Sequence, residues 1–523
     1  MKLFAYAVAS LLMVSLPIGG VILWRRHFRA PLILFLVGAL TFAGSQMVHI
    51  PLNNCLVDLG VLPATFFSES VSLWQTALVL GLTAALCEEL ARAAGYALLK
   101  NFRRFEDGGM MGLGHGGIEA MVFGGVLTAA TISSLLSLDG VDLNTLGLST
   151  EQMTAVGQQL ELFSRSPWLA AAPFLERLIA MLAHLVFSLL VWQAFNRRKP
   201  GYLVTAIGYH VVIDAVAVYL TNRVESPWLT LVAFLGSVIP GLIWLARVWP
   251  RPAGRILVQA TPLAREGAIF LTALRKELYQ GWRTKRLLVV LAVFAIMGLF
   301  SPLAAKFTPE LLRSIEGAEQ FADLIPEPTM ADAMNQYVKN ITQFGFILAV
   351  LLGMGAVAGE KEKGTAAMIL SKPMSRWAFV ASKMTAQALV YAAGFGIAAL
   401  GAATYTLMLF GPIDPGGFAL TNLLLLLWLL AFVAVALLGS TLGSSTGAAA
   451  GIGLGGSVLL LLAGNIPDLG ALAPGGLVAW ASQLGMAASG DAIAVNGGAA
   501  VMAIVIILLC LIASIGVFEA QEI

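Results

Sequence analysis

Long runs of apolar residues recur from one end of the chain to the other, and short polar segments separate them. Helices of about 20 such residues cross the roughly 30 Å hydrocarbon core of a bilayer. The runs are continuous and rich in Leu and Ala, whereas the strands of a membrane β-barrel alternate apolar and polar residues over about 10 positions. The pattern therefore predicts an all-α, polytopic membrane protein.

We expect about 13 membrane spans, arranged as a bundle of seven followed by a bundle of six. The first run is followed at once by a basic segment and has no plausible cleavage site, so it is interpreted as a span rather than a signal peptide. The predicted spans are 3–23, 31–50, 72–99, 111–136, 168–194, 201–219, 227–248, 287–304, 341–358, 380–410, 419–440, 446–464 and 497–518.

Basic residues are unevenly distributed among the polar segments. Lys and Arg in short loops are retained in the cytoplasm, so their positions indicate the orientation of the chain. The N-terminus is therefore predicted to lie outside, with residue 255 and the C-terminal end in the cytoplasm, in the inner (cytoplasmic) membrane of the cell. The basic residues on the predicted inner side are Arg25, Arg26, Arg29, Lys100, Arg103, Arg104, Arg197, Arg198, Lys199, Arg247, Arg251 and Arg255.

The chain is expected to form two domains joined by an interfacial segment. Residues 1–255 hold the first seven predicted spans, and residues 287–523 hold the other six. Between them, residues 256–286 carry leucines at helical spacing with basic residues among them, which is typical of a helix lying along the inner membrane surface. In the second domain, 305–340 is predicted to be an acidic segment outside and 359–383 a charged cytoplasmic loop.

Composition supports the membrane interpretation and excludes several alternatives. Of the 523 residues, 59% are apolar and 11% charged, and the mean hydropathy is +0.86, which no soluble globular class matches. The net charge of +2 indicates no partner by itself, and no nucleic-acid partner is predicted. Cys55, Cys87 and Cys510 are scattered, so neither a disulfide framework nor a thiolate metal site is indicated.

The two predicted bundles differ in their ionisable residues. The spans of the second carry almost none, whereas several spans of the first carry clusters of them. A charge at a helix centre costs roughly 2.5–3.5 kcal/mol on insertion scales, so such residues face the bundle interior and usually mark a site. The residues expected to form one polar site, at similar depth in four helices, are Glu88, Glu89, Arg92, His115, Glu119, His184, His210 and Asp214.

Three kinds of chemistry fit these residues. A Glu could act as a base on water while His groups stabilise an oxyanion, as hydrolysis of a peptide bond requires. His115, His184, His210 and Asp214 also offer ligands suited to a zinc-like divalent ion, although the chain has no HExxH sequence. The same groups could instead form a non-catalytic ion- or substrate-binding site or a proton relay, and single ion pairs among them could be structural.

The order of these residues is similar to that of a known family. The matching stretches are EExxR at 88–92, GHGGIEA at 114–120, an ER pair followed seven residues after its Arg by a His at 176–184, and HxxxD at 210–214. They resemble the YhfC family of intramembrane proteases over about residues 1–250. The plan is also similar to that of the CAAX-processing proteases, in which the Glu-to-Arg spacing is longer and Asn is commoner than Asp at the last position.

This resemblance implies an activity and assigns roles to residues. It implies that the first domain is an endopeptidase in which Glu88 or Glu89 activates the attacking water. His115 and His210 would be the partners of that glutamate, and Asp214 occupies the position of the family's last polar residue. Whether the mechanism is glutamic or depends on a metal stays open. The expected substrate is a membrane-embedded or exported peptide.

The cytoplasmic loop at 359–383 has a distinctive sequence, GEKEKGTAAMILSKPMSRWAFVASK. A charged cluster is followed by Gly-Thr as turn and cap, and Pro-Met-Ser-Arg supplies a second turn. The loop is either a solvated connector or a helical hairpin that presents a surface. It resembles the coupling region of type-2 ABC transporter permeases, in which these features occur in the same order. The residues that carry this resemblance are Glu360, Lys361, Glu362, Gly364, Thr365, Pro373, Ser375 and Arg376.

The second resemblance implies partners. The coupling loop of such a permease docks against an ATPase subunit, and the chain contains no GxxxxGK[ST] sequence with which to bind ATP itself. ATP would therefore act only through a separate polypeptide. Two permease halves normally enclose a pathway, so a homodimer or a second permease is expected. The transported substrate is not indicated.

Overall fold

The computed structural model of the chain is α-helical and contains no strand among the residues it describes. The described residues are 2–63, 71–138, 153, 156–157, 167–224, 226–250, 263–313, 327–466, 470–486 and 493–522. The chain divides into two compact units, Met1–Ala260 (unit 1) and Thr261–Ile523 (unit 2). The prediction of an all-α, polytopic membrane protein is confirmed.

Among the described residues, unit 1 consists mainly of long helices. Its helices are α1 (Lys2–Phe28), α2 (Ile33–Asp58), α3 (Leu73–Leu98), α4 (Phe105–Glu119), α5 (Leu127–Leu138), α6 (Ala171–Asn196), α7 (Gly201–Arg223) and α8 (Pro227–Val248). A π-helical segment, Ala120–Val126, joins α4 to α5, and a 3₁₀ turn, Pro167–Ala170, precedes α6. The predicted fourth span is therefore a composite of α4, the π-helical segment and α5.

Unit 2 begins with the helix predicted at the membrane surface. Its helices are α9 (Leu263–Arg283), α10 (Arg286–Arg313), α11 (Met330–Gly353), α12 (Ala358–Glu362), α13 (Thr365–Leu370), α14 (Arg376–Phe410), α15 (Pro415–Leu442), α16 (Thr446–Ala463), α17 (Gly475–Met486) and α18 (Gly497–Ala520). The predicted outer segment, 305–340, is partly helical, because α10 continues through Pro309 and α11 begins at a capping box formed by Thr329 and Asp332.

Twelve helices of the described residues are long and apolar enough to cross a membrane. The helix α3 is not among them, although its 26 residues are more than sufficient for a span. The helix α3 differs from those twelve because Glu88, Glu89 and Arg92 lie within its otherwise apolar sequence. These three charged side chains are buried inside unit 1, and α3 can therefore be counted as a thirteenth span.

Glycines bring the polar helices of unit 1 into close contact. A Cβ on Gly114 of α4 would lie 2.0 Å from the carbonyl oxygen of Phe35 in α2. A Cβ on Gly38 of α2 would lie 2.1 Å from that of Met111 in α4. On α3, an added Cβ at Gly81 would lie 2.8 Å from a backbone oxygen of α7. Because only glycine permits such approaches, the polar side chains of α2, α3, α4 and α7 can meet.

An apolar cluster holds the remaining helices of unit 1 together. Phe187 of α6, Ile213 of α7 and Val238 of α8 lie within it, and each is at most 2% exposed. Beside the cluster, Arg177 of α6 passes over Gly124 of the π-helical segment, where an added Cβ would lie 2.8 Å from its side chain. The π-helical segment begins directly after Glu119, and such segments are frequent at functional sites.

The loop of unit 2 at 359–383 contains two short helices, α12 and α13, before α14 begins at Arg376. Gly364 lies between them with a φ of +67°, a left-handed conformation that glycine adopts without steric cost. Ser375 is the residue that precedes α14. The loop is therefore a compact pair of helical turns, as a hairpin that presents a surface requires.

Candidate functional site

All eight residues expected to form the polar site lie in one connected network inside unit 1. The network is built from α3, α4, α6 and α7, with further contributions from α2. The exposed fractions are 0% for Glu89, Arg92 and His115, 2% for His210, 5% for His184 and 6% for Glu88. The side chains of Glu119 and Asp214 are 13% and 32% exposed. The more exposed Asp214 therefore lies at the edge of the network.

Arg92 is the central cation of the site. Its Nη1 donates to Glu89 Oε1 at 2.5 Å, and its Nη2 donates to His184 Nδ1 at 3.0 Å. Sequence spacing allowed Arg92 to pair with either glutamate of α3, and the structure pairs it with Glu89. The second oxygen, Glu89 Oε2, and the third guanidinium nitrogen, Arg92 Nε, are buried without a hydrogen-bond partner.

Glu88 faces the opposite wall of the site. Its Oε1 accepts a hydrogen bond from Gln46 Nε2 at 3.2 Å, and its Oε2 lies 3.1 Å from His115 Nε2. His210 Nε2 lies 4.0 Å from the same Oε2. Glu88 is therefore the carboxylate that reaches the two histidines from α4 and α7 without a guanidinium partner.

The contacts of Thr41 determine which nitrogen of His115 carries a proton. The hydroxyl of Thr41 donates its single proton to the carbonyl oxygen of Gly38 at 2.7 Å, so it must accept from His115 Nδ1 at 2.9 Å. His115 Nε2 then presents a lone pair to Glu88 Oε2. Two lone pairs at this separation repel each other unless a cation, either a proton or a metal ion, lies between them.

His184 is held between a cation and an anion. A guanidinium can only donate, so His184 Nδ1 accepts from Arg92 and the ring proton lies on Nε2. His184 Nε2 is in direct contact with Glu119 Oε2. The other oxygen of Glu119 accepts from Arg177 Nη1 at 2.8 Å, and Arg177 also binds Glu176 at 2.5 Å. Glu119 and Arg177 therefore orient the His184 ring.

His210 has carboxylates on both sides of its ring. Its Nδ1 lies 2.8 Å from Glu89 Oε1 and its Nε2 lies 3.3 Å from Asp214 Oδ2. The ring stacks on Phe187 with the centroids 4.3 Å apart. Because each ring nitrogen faces a carboxylate oxygen, the arrangement is complete when both nitrogens carry protons, and His210 then offers no lone pair to a metal.

One group of described residues lies close enough together to hold a metal ion. Single ligand atoms of Glu88, His115 and His184 all lie within 4.8 Å of one another, and the three residues are buried. The group includes two of the four ligands proposed from the sequence and replaces His210 and Asp214 with Glu88. The physical reason is that His210 and Asp214 bind each other, whereas the Nε2 lone pair of His115 faces Glu88.

The sequence interpretation missed the contribution of α2. Thr41 and Gln46 contact the site directly, and His49 Nε2 lies 3.3 Å from Thr83 Oγ1 of α3. A signal was present, because polar residues recur every four positions along one face of this apolar helix. The residues of that stripe are Thr41, Ser45, His49 and Asn53.

The proposed coupling residues of unit 2 are largely engaged within unit 2 itself. Lys361 Nζ donates to the Thr441 carbonyl oxygen at 2.8 Å, and Arg376 Nη1 donates to that of Phe518 at 2.7 Å. Glu362 Oε2 accepts from Thr446 Oγ1 at 2.7 Å. These contacts fix the loop to α15, α16 and α18.

Two smaller contacts stabilise the turns of the loop. Thr365 Oγ1 donates to the carbonyl oxygen of Glu360 at 3.2 Å, and Ser375 Oγ donates to Glu266 of α9 at 3.0 Å. Pro373 is exposed, and Met368 is an apolar side chain that is 65% exposed on the same loop. The loop is therefore attached by several contacts, while Pro373 and Met368 stay exposed on it.

Two family profiles match the chain, one in each unit. Residues 12–234 match the family described as "YhfC intramembrane metalloprotease", and residues 271–475 match the family described as "ABC-2 family transporter protein". Both resemblances stated from the sequence are confirmed. The chain carries a YhfC-type domain followed by an ABC-2 permease domain, and it is a multi-pass membrane protein.

Two proteins of Bacillus subtilis (strain 168) are similar to parts of the chain. The "uncharacterized transmembrane protein YxlG" is 29% identical over 194 residues, which are 36% of this chain and 73% of YxlG. The "uncharacterized membrane protein YhfC" is 27% identical over 223 residues, which are 40% of this chain and 82% of YhfC. No solved structure was found to match the chain.

Proposed function

We propose that unit 1 is an intramembrane metallopeptidase and that unit 2 is the membrane part of an ABC transporter. The observation that carries the first proposal is the lone pair of His115 Nε2, which faces Glu88 Oε2 within a buried group of three metal-type ligands. The match to a metalloprotease family supports it. The expected substrate is a peptide that is embedded in the membrane or exported through it.

The donors of this group fit a divalent ion such as zinc. Two imidazoles and one carboxylate are a common ligand set of catalytic zinc sites, which leave one position open for water or substrate. His115 would bind through Nε2, because Thr41 holds the proton on Nδ1. His184 would bind through Nδ1, because its Nε2 proton then keeps the contact with Glu119. Ligand histidines usually donate their second N–H in this way.

Arg92 would have to release His184 before that nitrogen could bind an ion. Its Nη2 now donates to the same lone pair at 3.0 Å. The guanidinium and the ion are therefore competitors for His184 Nδ1. The ion pair between Arg92 Nη1 and Glu89 Oε1 does not involve that lone pair, so it can persist when the site is loaded.

The remaining groups are placed for general acid–base work. A bound divalent ion would polarise the scissile carbonyl and acidify a water molecule. Glu89 would accept the proton of that water through Oε2, which is buried and unpaired, while Arg92 and His210 hold Oε1 in place. Asp214 orients His210 through Nε2. In this proposal Glu88 is a ligand and Glu89 is the base.

The proposal is tested by separating metal binding from cleavage. The full chain, its Glu89→Gln variant and its His115→Gln variant would be expressed, and the metal content of each purified protein measured by mass spectrometry. New peptide termini in the membrane fraction would be mapped in parallel. Glu89→Gln should keep the metal and lose the new termini, whereas His115→Gln should lose both. Termini that persist unchanged in Glu89→Gln would contradict the assigned base.

One observation favours a second candidate function for unit 1. Close polar contacts run from Gln46 through Glu88 to His115, where a proton between Glu88 Oε2 and His115 Nε2 would complete a chain of hydrogen bonds, and another chain joins His210, Glu89, Arg92 and His184. Such a chain could bind an ion or relay protons without hydrolysis. Bound metal without new peptide termini in the wild-type protein would support this candidate over the peptidase.

For unit 2, the ABC-2 domain implies an ABC ATPase partner. We propose that the partner docks on the loop 359–383, with Met368 as an apolar contact, and that a second copy or another permease completes the pathway. Two observations support a separate ATPase subunit that docks on this loop. The sequence has no phosphate-binding GxxxxGK[ST] stretch, and hydrogen bonds attach the loop to α15 and α18. The proposed orientation in the inner membrane has the N-terminus outside and the C-terminus in the cytoplasm, with domains at 1–255, 256–286 and 287–523.

A further inference from the structure

Unit 2 contains a cavity of about 210 Å³ among α9, α10, α11, α12 and α14. One water molecule needs about 10–15 Å³ of such space, so the cavity has room for a considerably larger group. Its wall is partly apolar, with Leu278, Leu287, Leu352 and Val390. The cavity lies outside the polar site of unit 1, and the transporter assignment does not account for it.

Three polar atoms on residues that line the cavity have no hydrogen-bond partner. They are Glu360 Oε2, Gln387 Oε1 and Tyr391 Oη, and each is buried. Glu360 is 7% exposed and Tyr391 is 1% exposed. Buried polar atoms are nearly always paired with protein, water or a ligand. Two of these atoms are acceptors and the third is a hydroxyl, so the missing partner must bring hydrogen-bond donors.

The other oxygen of Glu360 belongs to a charge network. Lys383 Nζ lies 2.9 Å from Glu277 Oε1 and 2.9 Å from Glu360 Oε1. Lys276 Nζ donates to the same two oxygens at 2.8 and 2.6 Å. Burial acts to lower the pKa of Lys276, but Glu277 and Glu360 together raise it above its usual value. Two lysines and two carboxylates therefore balance each other.

Arg286 and Lys363 also line the cavity and add two positive charges to this balanced network. A cationic ligand would consequently be repelled, while an anionic group would be attracted. Basic pockets between membrane helices on the cytoplasmic side are typical sites for anionic lipid head groups. The ligand that fits both requirements carries a negative charge together with hydroxyl donors.

We propose that this cavity binds the head group of a phosphate ester that carries free hydroxyls, as phosphatidylglycerol does. The phosphate would lie near Arg286 and Lys363. The glycerol hydroxyls would donate to Glu360 Oε2 and Gln387 Oε1, and one of them would accept from Tyr391 Oη. The apolar wall would contact the beginning of the acyl chains. Free glycerol 3-phosphate presents the same polar chemistry without the chains, so the experiment must distinguish the two sources.

The test is the affinity of the purified full chain in detergent for defined lipids, measured by native mass spectrometry. Phosphatidylglycerol should bind more tightly than phosphatidic acid, which lacks the glycerol hydroxyls, and more tightly than zwitterionic phosphatidylcholine. Lys363→Gln should weaken phosphatidylglycerol binding about fivefold. Gln387→Leu and Tyr391→Phe should each reduce the preference over phosphatidic acid by about fivefold.

Lys372→Gln is the matched control, because Lys372 is an exposed lysine of the same loop that does not line the cavity. Equal weakening by Lys372→Gln and Lys363→Gln would overturn the proposal, as would equal binding of phosphatidylglycerol and phosphatidylcholine. An unchanged preference over phosphatidic acid in both Gln387→Leu and Tyr391→Phe would also overturn it. Displacement of the lipid by millimolar glycerol 3-phosphate would support the site and assign it to a soluble phosphate ester.

Discussion

Units 1 and 2 both bury networks of acidic and basic side chains, but they place them at different levels of their helices. In unit 1, Glu88, Glu89 and Arg92 lie well inside the 26-residue α3. In unit 2, Lys276 lies in α9, which is not a candidate span, Glu360 lies at the end of the candidate span Met330–Glu362, and Lys383 lies near the start of α14. A charge at a span's centre is more costly than one at its end, which is why the network of unit 1 is the stronger candidate for a functional site.

The two networks also differ in the partners of their members. In unit 2, two lysines bind one oxygen of each of two carboxylates, and the other oxygen of Glu360 is buried without a partner. In unit 1, His115 Nε2 directs a lone pair at Glu88, and Glu89 Oε2 has no partner. Each network therefore has an unpaired carboxylate oxygen, but in unit 1 an imidazole lone pair also faces a carboxylate. That arrangement is suited to binding a cation.

The largest expected effect tests the competition between Arg92 and a metal ion. Arg92→Gln removes the partner of a buried carboxylate, so the metal-free protein should lose about 3–5 kcal/mol of stability. The same change frees His184 Nδ1, so zinc affinity should rise by about tenfold or more. Thermal unfolding with and without zinc measures the first effect, and calorimetric titration measures the second.

Arg177→Gln is the control for this prediction. It removes the partner of Glu119 without freeing His184 Nδ1. It should therefore lower stability without tightening zinc binding. If Arg92→Gln binds zinc no better than the wild-type protein does, Arg92 and the ion do not compete for His184.

An intermediate effect is expected from the tautomer of His115. Thr41→Val preserves the shape of the side chain and removes the hydroxyl that holds the proton on Nδ1. Loss of such a supporting hydrogen bond to a ligand histidine typically weakens metal binding about 10- to 100-fold. Separate zinc titrations of Thr41→Val and of Thr41→Ser, which keeps the hydroxyl, measure the difference in zinc affinity. Equal zinc affinities in the two variants would refute the assigned tautomer.

The smallest effect concerns unit 2 and should leave unit 1 untouched. Met368→Ser removes an exposed apolar side chain from the coupling loop, so affinity for the ATPase subunit should fall about tenfold. Zinc binding should not change. The control is Met408→Ser, which removes a methionine that is 74% exposed at the other end of α14. A comparable loss of ATPase binding in Met408→Ser would show that the loop has no special role.

The sequence predicted which polar residues of unit 1 lie together better than it predicted their pairing. Glu88 and Glu89 both lie at helical spacing from Arg92, so spacing along one helix could not say which of them binds the guanidinium. The answer depends on His210 and Arg92, which meet at Glu89 Oε1 from two different helices. The predicted ends of the spans on either side of segment 305–340 also differ from the observed helix ends, because α10 and α11 both extend into that segment.

The sequence by itself determined the class of protein, the helices that carry ionisable groups and the two family resemblances. These follow from periodicity, from the cost of charge in an apolar span and from the order of motifs, all of which are local along the chain. Only the tertiary structure decided that Thr41 of α2 holds the proton of His115 on Nδ1 and that Arg92 donates a hydrogen bond to His184 Nδ1. Those contacts depend on how closely the helices approach each other at Gly38 and Gly114. The spacing of residues along one helix carries no information about that distance.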